Sequence, residues 1–395
     1  MTFDIVIVGG GLSGLALAAE LARPEFSRLR VLVLEARATY TRDRTWSYWQ
    51  SSADAGHRYS HLERRQWLRW CVRQEAAASI THRGKTQSYC SLDGDLFYAA
   101  AQRAIAQSDH VELRLNSPVC HVTGAEMPSV ETVGGEVIRA TWVFDARPPT
   151  RNNASALVQQ FVGCEITTDR DVFDPTTVEL MQFFPSTDGL HFFYVLPYSS
   201  RNALVESTWI SPASLTPDFG NELKHFITNS LGLTSYDVVY EEKGVLHLGM
   251  NNAASDMATY VVPLGRAAGT LRPSTGYAFL ETLAHAEQIA ASMERHLMTG
   301  ELKDWVPTVF KRAALDTWMD TVFLHVLARD WSKGPGYFMQ LFKKLDTNTM
   351  VAFLSGKANW WQRLMVASAL PVLPFTAQAL ATWIAKVPRL LRARR

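Results

Sequence analysis

Asp4-Ile-Val-Ile-Val8 runs directly into Gly9-Gly-Gly11-Leu-Ser-Gly14 and then into an apolar helical stretch. This is a strand that empties through a G-x-G-x-x-G turn into a helix. Gly9 permits the tight turn, Gly11 lets backbone approach a pyrophosphate, and Gly14 lets the helix pack closely on the strand. The pyrophosphate would rest on the free N–H groups and positive dipole end of that helix. A second apolar run, Arg30-Val-Leu-Val-Leu34, ends in Glu35, at the separation where an acid receives ribose hydroxyls. Strand, glycine turn, helix and acid together predict a dinucleotide site.

Working outward, 395 residues exceed the usual span of one core, which predicts two interleaved subdomains. A net charge of +1 gives nucleic acid no purchase. Cys71, Cys90, Cys120 and Cys164 are scattered without metal-ligand spacing, so no metal site and a reduced, cytoplasmic setting are expected. The first strand begins at once, so no targeting segment is expected ahead of it. Twelve Trp, nineteen Phe and twelve Tyr would fill a core or wall an apolar cavity, and composition does not choose between these.

Further along, Leu92-Asp-Gly-Asp-Leu96 opens a helix with Asp95 as its expected cap. Thr141-Trp-Val-Phe-Asp145-Ala-Arg147 has the character of a strand returning to the nucleotide sheet. Residues 157–247 are β-rich, with strands at Leu180–Phe184, Leu190–Leu196 and Asn202–Ile210, and Pro212–Leu233 is expected to be helical. Gly265–Tyr277 is a second Gly-rich loop; it opens a helix over Ala278–Met298, and the remainder is mainly helical.

An early fingerprint, a β-rich middle and a late loop–helix junction resemble flavoproteins of the glutathione-reductase type. The implied fold class is α/β: a glutathione-reductase-like FAD-binding Rossmann fold with an inserted β-rich substrate domain and a helical C-terminal region. The expected FAD-binding domain comprises residues 1–60, 90–156 and 248–300. The substrate-binding domain takes 61–89 and 157–247, and 301–395 forms the helical region, with 360–395 as its membrane-contacting segment.

The late loop is the most specific stretch. Gly265-Arg-Ala-Ala-Gly269-Thr-Leu-Arg272-Pro-Ser-Thr-Gly276-Tyr277 resembles the G-x-A-G-x-x-H-P-S-T-G-Y segment of lycopene cyclases. Arg44-Thr-Trp-Ser-Tyr48, Val143-Phe-Asp145-Ala-Arg147, Leu204-Val-Glu206-Ser-Thr208 and Glu241-Glu-Lys-Gly-Val-Leu246 resemble four further segments of that family, in order. Phe338–Gly356 resembles its closing segments. The chain departs from the family at Trp49 and Arg272, where His is usual, and at His247, where Pro is usual; Arg266 stands where many flavoproteins carry Asp.

The resemblance implies acid-catalysed cyclisation of the ψ end groups of lycopene to β-ionone rings, by way of γ-carotene to β-carotene, with no net electron transfer. Glu206 is the expected acid, kept protonated by an aromatic-walled cavity. Of Glu241 and Glu242, neighbours on a strand, at most one would point inward, and neither is assigned a role. The cofactor-binding residues would be Gly9, Gly11, Gly14, Glu35, Arg44, Asp145, Gly265, Gly269, Thr275 and Gly276. Trp46, Tyr48, Phe193, Tyr194 and Tyr277 would line the substrate pocket, although each taken alone is more at home in a core. The implied cofactor is FAD, active in its reduced form with NAD(P)H as reductant. Its negative charge about 4 Å from a carbocation is worth roughly 4 kcal/mol at an effective dielectric of 20, or about a thousandfold in rate.

The implied partners are lycopene or a related polyene, the membrane surface and other enzymes of the carotenoid pathway. Leu364–Ala385 carries no charge and is followed by Lys386, Arg389, Arg392, Arg394 and Arg395. Pro371 and Pro374 favour two short interfacial helices, and so a peripheral membrane protein, over one span, with ordinary buried helices as the other reading. The competing readings are a cyclase of another polyene or terpenoid, and a flavin-dependent monooxygenase of a lipophilic substrate. A halogenase commonly carries W-x-W-x-I-P, which Trp46-Ser-Tyr-Trp49 does not match.

Overall fold

The computed structural model describes residues 2–392 except 52–55, 75–78, 125–126, 149–156 and 249–259. Strand β1 (Thr2–Val8) is buried on both faces from Ile5 to Val8, as a central parallel strand must be. It pairs in parallel with β2 (Val31–Leu34) on one side and β11 (Val137–Asp145) on the other. β8 (Val111–Arg114) extends the sheet beyond β2, and β17 (Val261–Pro263) joins the far end of β11. The antiparallel β9 (Val119–Thr123) and β10 (Ser129–Thr132) complete the sheet beside β11. Helices α1 (Leu12–Leu21), α2 (Gly94–Ala106) and α4 (Phe279–Leu297) cover one face through Leu15, Leu17, Phe97, Ala101, Leu283 and Ile289.

The second sheet runs β16-β12-β15-β14-β13-β5-β6. Its members are β5 (Arg69–Gln74), β6 (Ser79–Arg83), β12 (Leu157–Thr167), β13 (Thr177–Phe184), β14 (Leu190–Pro197), β15 (Asn202–Pro212) and β16 (Asp237–His247). A third, small sheet of β3 (Thr45–Ser51), β7 (Gln87–Asp93) and β4 (Arg65–Trp67) bridges the other two. Behind the second sheet lies α3 (Phe219–His225), which with the turn at Phe226–Ser230 is all the helix formed between Pro212 and Leu233.

Asp93, not Asp95, precedes the first turn of α2, so the expected cap is displaced by two residues. Asp93 is turned toward Arg42 and Arg64 and makes no capping bond.

The C-terminal region packs α5 (Ala314–Arg329), α6 (Gly334–Lys344), α7 (Thr347–Leu354), α8 (Trp360–Ala369) and α9 (Val372–Arg392) over the second and third sheets. The chain breaks between α8 and α9 at Leu370-Pro371, where proline withdraws an N–H and restricts the residue before it. Among the described residues no helix is long and apolar enough to cross a membrane. Arg394 and Arg395 lie outside the described residues, as do the side chains of Lys386, Arg389 and Arg392.

Candidate active site

The turn after β1 is built around what its glycines lack. Gly9 adopts φ +97°. A Cβ on Gly14 would lie 1.9 Å from the Gly9 carbonyl oxygen, so close helix–strand packing requires glycine there. A Cβ on Gly11 would meet nothing within 4 Å, because that side of the turn faces a cavity. No side chain caps α1 and no acid occupies its first turn, so its N–H groups and dipole end remain free for an anion.

Glu35 accepts hydrogen bonds from the Gly10 N–H at 2.6 Å and the Arg37 N–H at 2.8 Å. Burial opposes its ionisation, but these bonds and the Arg37 guanidinium hold its carboxyl below the usual range. Glu35, with Gly9, Gly11, Arg44, Ser117, Ala146 and Gly265, lines one end of a cavity of about 1030 Å³. The surfaces fit the pyrophosphate and ribose of a dinucleotide.

The same cavity continues to the face of the second sheet that bears Phe161, Phe192, Tyr194 and Glu206. Strand alternation decides which residues reach it. Tyr194 and Glu206 lie opposite each other on β14 and β15 and both point in. Glu206 is 8% exposed. Its Oε1 accepts the Thr208 hydroxyl at 2.5 Å, and no ion pair engages it among the described residues. Burial, with a contribution from the charge of Glu242, pushes its carboxyl up to about 8. Such a group carries its proton at neutral pH.

Most of the residues expected at the site do line this cavity: Gly9, Gly11, Glu35, Arg44, Trp46, Tyr194, Glu206, Gly265, Thr275, Gly276 and Tyr277. The others do not. Phe193 points through the opposite face of the sheet and stacks on Phe226 at 4.0 Å, because its neighbours Phe192 and Tyr194 take the cavity side. Tyr48 is stacked on Phe279 at 4.8 Å and donates its hydroxyl to Glu63, which shuts it off from the cavity. Asp145 engages Arg147 at 2.7 Å, and Arg147 rather than Asp145 reaches the lining. Gly14 serves packing, and Gly269 (φ +90°) ends the short helical turn after Gly265.

Two of the departures from the family pattern, Arg272 and Trp49, have structural accounts. Arg272 is buried, pairs with Asp320 of α5 at 3.2 Å and lies over the Phe353 ring, tying the late loop to the C-terminal helices. Trp49 stands behind Tyr89 with ring centroids 4.6 Å apart, outside the main cavity. Tyr89 itself was not anticipated. Its hydroxyl accepts from Tyr194 at 2.9 Å and lies 3.2 Å from that of Tyr277, forming a buried tyrosine chain along the cavity wall. Only the pairing of Trp49 with Tyr89 between β3 and β7 brings it there. Phe323, Phe338, Phe353 and Phe375, from four different helices, were equally unanticipated.

Glu242 faces inward and is buried, whereas Glu241 is exposed. On the opposite face of the sheet, Ser207, His191 and Glu222 approach one another, but the Ser207 hydroxyl donates to Glu222 at 2.6 Å. Ser207 is fully buried and faces away from the cavity, so this cluster has no nucleophile to offer.

Residues 4–380 match the family model for lycopene cyclase protein. The chain is 29% identical to the lycopene beta-cyclase of Paracoccus sp. (strain N81106 / MBIC 01143), covering 95% of each chain. Among solved structures, a flavoprotein/dehydrogenase from Cytophaga hutchinsonii aligns with a TM-score of 0.63 at 13% identity, over 98% of this chain and 100% of that one. A halogenase, PltM, solved in complex with FAD, aligns with a TM-score of 0.58 at 13% identity, over 93% of this chain and 85% of that one. These structural likenesses establish the flavoprotein fold.

Proposed function

The chain belongs to the lycopene cyclase family, and from that premise we propose that it cyclises the ψ end groups of lycopene to β-ionone rings, through γ-carotene to β-carotene. The observation that carries this reading is Glu206: a protonated, desolvated carboxyl in an aromatic cavity continuous with a dinucleotide cradle. An alkene is a poor base, and water would outcompete it for the proton in an open site. Burial removes that competitor.

The proton passes from a Glu206 carboxyl oxygen to the terminal alkene, and the resulting tertiary cation closes the ring. Loss of a different proton from the ring restores neutrality, so no electrons are transferred overall. The π faces of Tyr194, Tyr277 and Phe192 border the space where the cation forms and attract it. The Tyr89 bridge holds the first two rings in place.

The glycine turn and the α1 N-terminus would hold the FAD pyrophosphate, Glu35 the ribose, and the Gly265–Tyr277 loop would border the flavin end. Bound there in its reduced form, with NAD(P)H as reductant, FAD supplies negative charge against the cation.

The substrate dissolves only in lipid, and the α8–α9 hairpin supports docking at a membrane surface. Val366, Leu370 and Phe375 contribute to the cavity wall, while Trp360, Trp361, Leu373 and Trp383 of the same helices are exposed. Apolar residues with tryptophans on an exposed helical face suit the headgroup boundary.

Expression in a lycopene-producing host tests the function, with pigments separated by chromatography. γ-Carotene and β-carotene are expected at the expense of lycopene. Unchanged lycopene alongside folded, flavin-loaded protein would overturn the reading, and steady NAD(P)H consumption with a polyene would point to a monooxygenase.

A further inference from the structure

Glu242 has no task in the cyclisation as described, yet its position is specific. Strand order β15-β12-β16 sets both Glu206 and Glu242 opposite Gly163 of β12. The middle strand therefore carries no side chain between them. A Cβ on Gly163 would lie 3.4 Å from the Glu206 Cβ and 3.3 Å from Leu204 Cδ1. The two acids are 8% and 6% exposed.

Among the described residues neither acid is in an ion pair, although Arg44, Lys243 and Arg266 line the same cavity. Thr208 donates to Glu206, and Tyr194 of β14 lies across from it. Tyr240 donates to Glu242 at 2.8 Å, and Thr45 of β3 lies beside it. Arg42, whose charge partly offsets the effect of burial on Glu242, sits over the Tyr240 ring at 3.7 Å and pairs with Glu165 at 2.7 Å. Glu165 is shared with Arg64 as well.

We propose that Glu206 and Glu242 form a carboxyl dyad across Gly163 that holds one proton between them, with Glu242 acting as a positioning residue that keeps the proton on Glu206. The inference rests on Glu206 being the cyclisation acid. Two like charges in one buried site cannot both be accommodated cheaply, so ionisation of one raises the affinity of the other for a proton. Burial raises both carboxyls, Glu242 to about 7, and the charge of Glu242 adds to the rise at Glu206. Glu242 thus ionises first. The proton that leaves Glu206 forms the new C–H bond, and the proton released by the ring can restore the dyad, so the cycle balances without an outside donor.

An infrared titration of the flavin-loaded protein without substrate tests the dyad. The protonated Glu206 carbonyl band is assigned by its loss in Glu206→Gln and followed against pH in wild type, Glu242→Gln and Glu242→Asp. Removing the charge in Glu242→Gln should move the midpoint down by about one pH unit, a tenfold change in dissociation constant. Glu242→Asp, which keeps the charge, should remain near wild type. Glu242→Leu provides a second neutral variant should the amide not fold. An identical midpoint in wild type and either neutral variant would overturn the dyad. Failure of wild type to convert lycopene would overturn the functional reading instead, since the titration needs no turnover.

Discussion

A carboxyl that protonates carbon must still hold its proton near neutral pH, and at Glu206 the cost of burying charge ensures this. Glu206→Gln is expected to lower cyclisation by about 10²- to 10⁴-fold, the usual contribution of a positioned acid, while FAD binding stays unchanged by fluorescence titration. Wild-type activity should fall as pH rises through about 8, as the acid is lost. The same shift predicts a stability effect of definite sign. The folded-state pKa lies above the ordinary value, so holding the carboxylate costs stability progressively as pH rises from the unfolded pKa to about 8. Thermal melts should therefore find Glu206→Gln more stable than wild type at pH 9 and nearly equal to it at pH 4. Glu206 was legible in the sequence through its motif, Leu204-Val-Glu206-Ser-Thr208, and the structure adds its burial. Glu242 was not, because its role depends on a strand 36 residues away, across a glycine that says nothing by itself.

The elements of the nucleotide half could be read from local patterns. An apolar strand, a glycine turn and an apolar helix form one continuous stretch whose geometry is fixed by backbone sterics. Two substitutions in that stretch should behave oppositely. Gly14→Ala drives a methyl group into the Gly9 carbonyl and should destabilise the protein by about 1–3 kcal/mol or more in denaturant unfolding. Gly11→Ala meets no protein atom and should leave folding intact while weakening FAD retention. Equal losses of stability in both would contradict this assignment. Strand phase was the weaker inference. Naming Phe193 and Tyr194 together overlooked the alternation that sends one of any two neighbours to each face, and Phe193 went to the α3 side. Tyr48, two residues beyond Trp46 and so on the same strand face, is excluded by a different cause, the Phe279 ring stacked over it.

Over the described residues, one cavity is lined from three parts of the fold: the nucleotide sheet, the second sheet and the C-terminal helices. The α8–α9 hairpin belongs to two surfaces at once, which changes how membrane contact should be tested. Truncation after Trp361 would also remove Val366, Leu370 and Phe375 from the cavity wall. The exposed Trp360, Trp361 and Trp383 can be changed to Ser without opening it. That triple variant should sediment with anionic liposomes several-fold less than wild type while retaining its melting temperature. Equal sedimentation would remove the hairpin from the docking surface.

The sequence by itself determined the flavoprotein class, the glycine turn and the family, and it singled out Glu206 as the candidate acid, because each is encoded in short stretches of residues adjacent along the chain. Only the tertiary structure decided which aromatics face the cavity, that Arg272 serves a buried ion pair with Asp320, and that Glu242 stands beside Glu206. The physical reason is the same in each case. Local backbone chemistry is set by near neighbours, whereas the walls of a cavity are set by packing between strands and helices far apart in the chain.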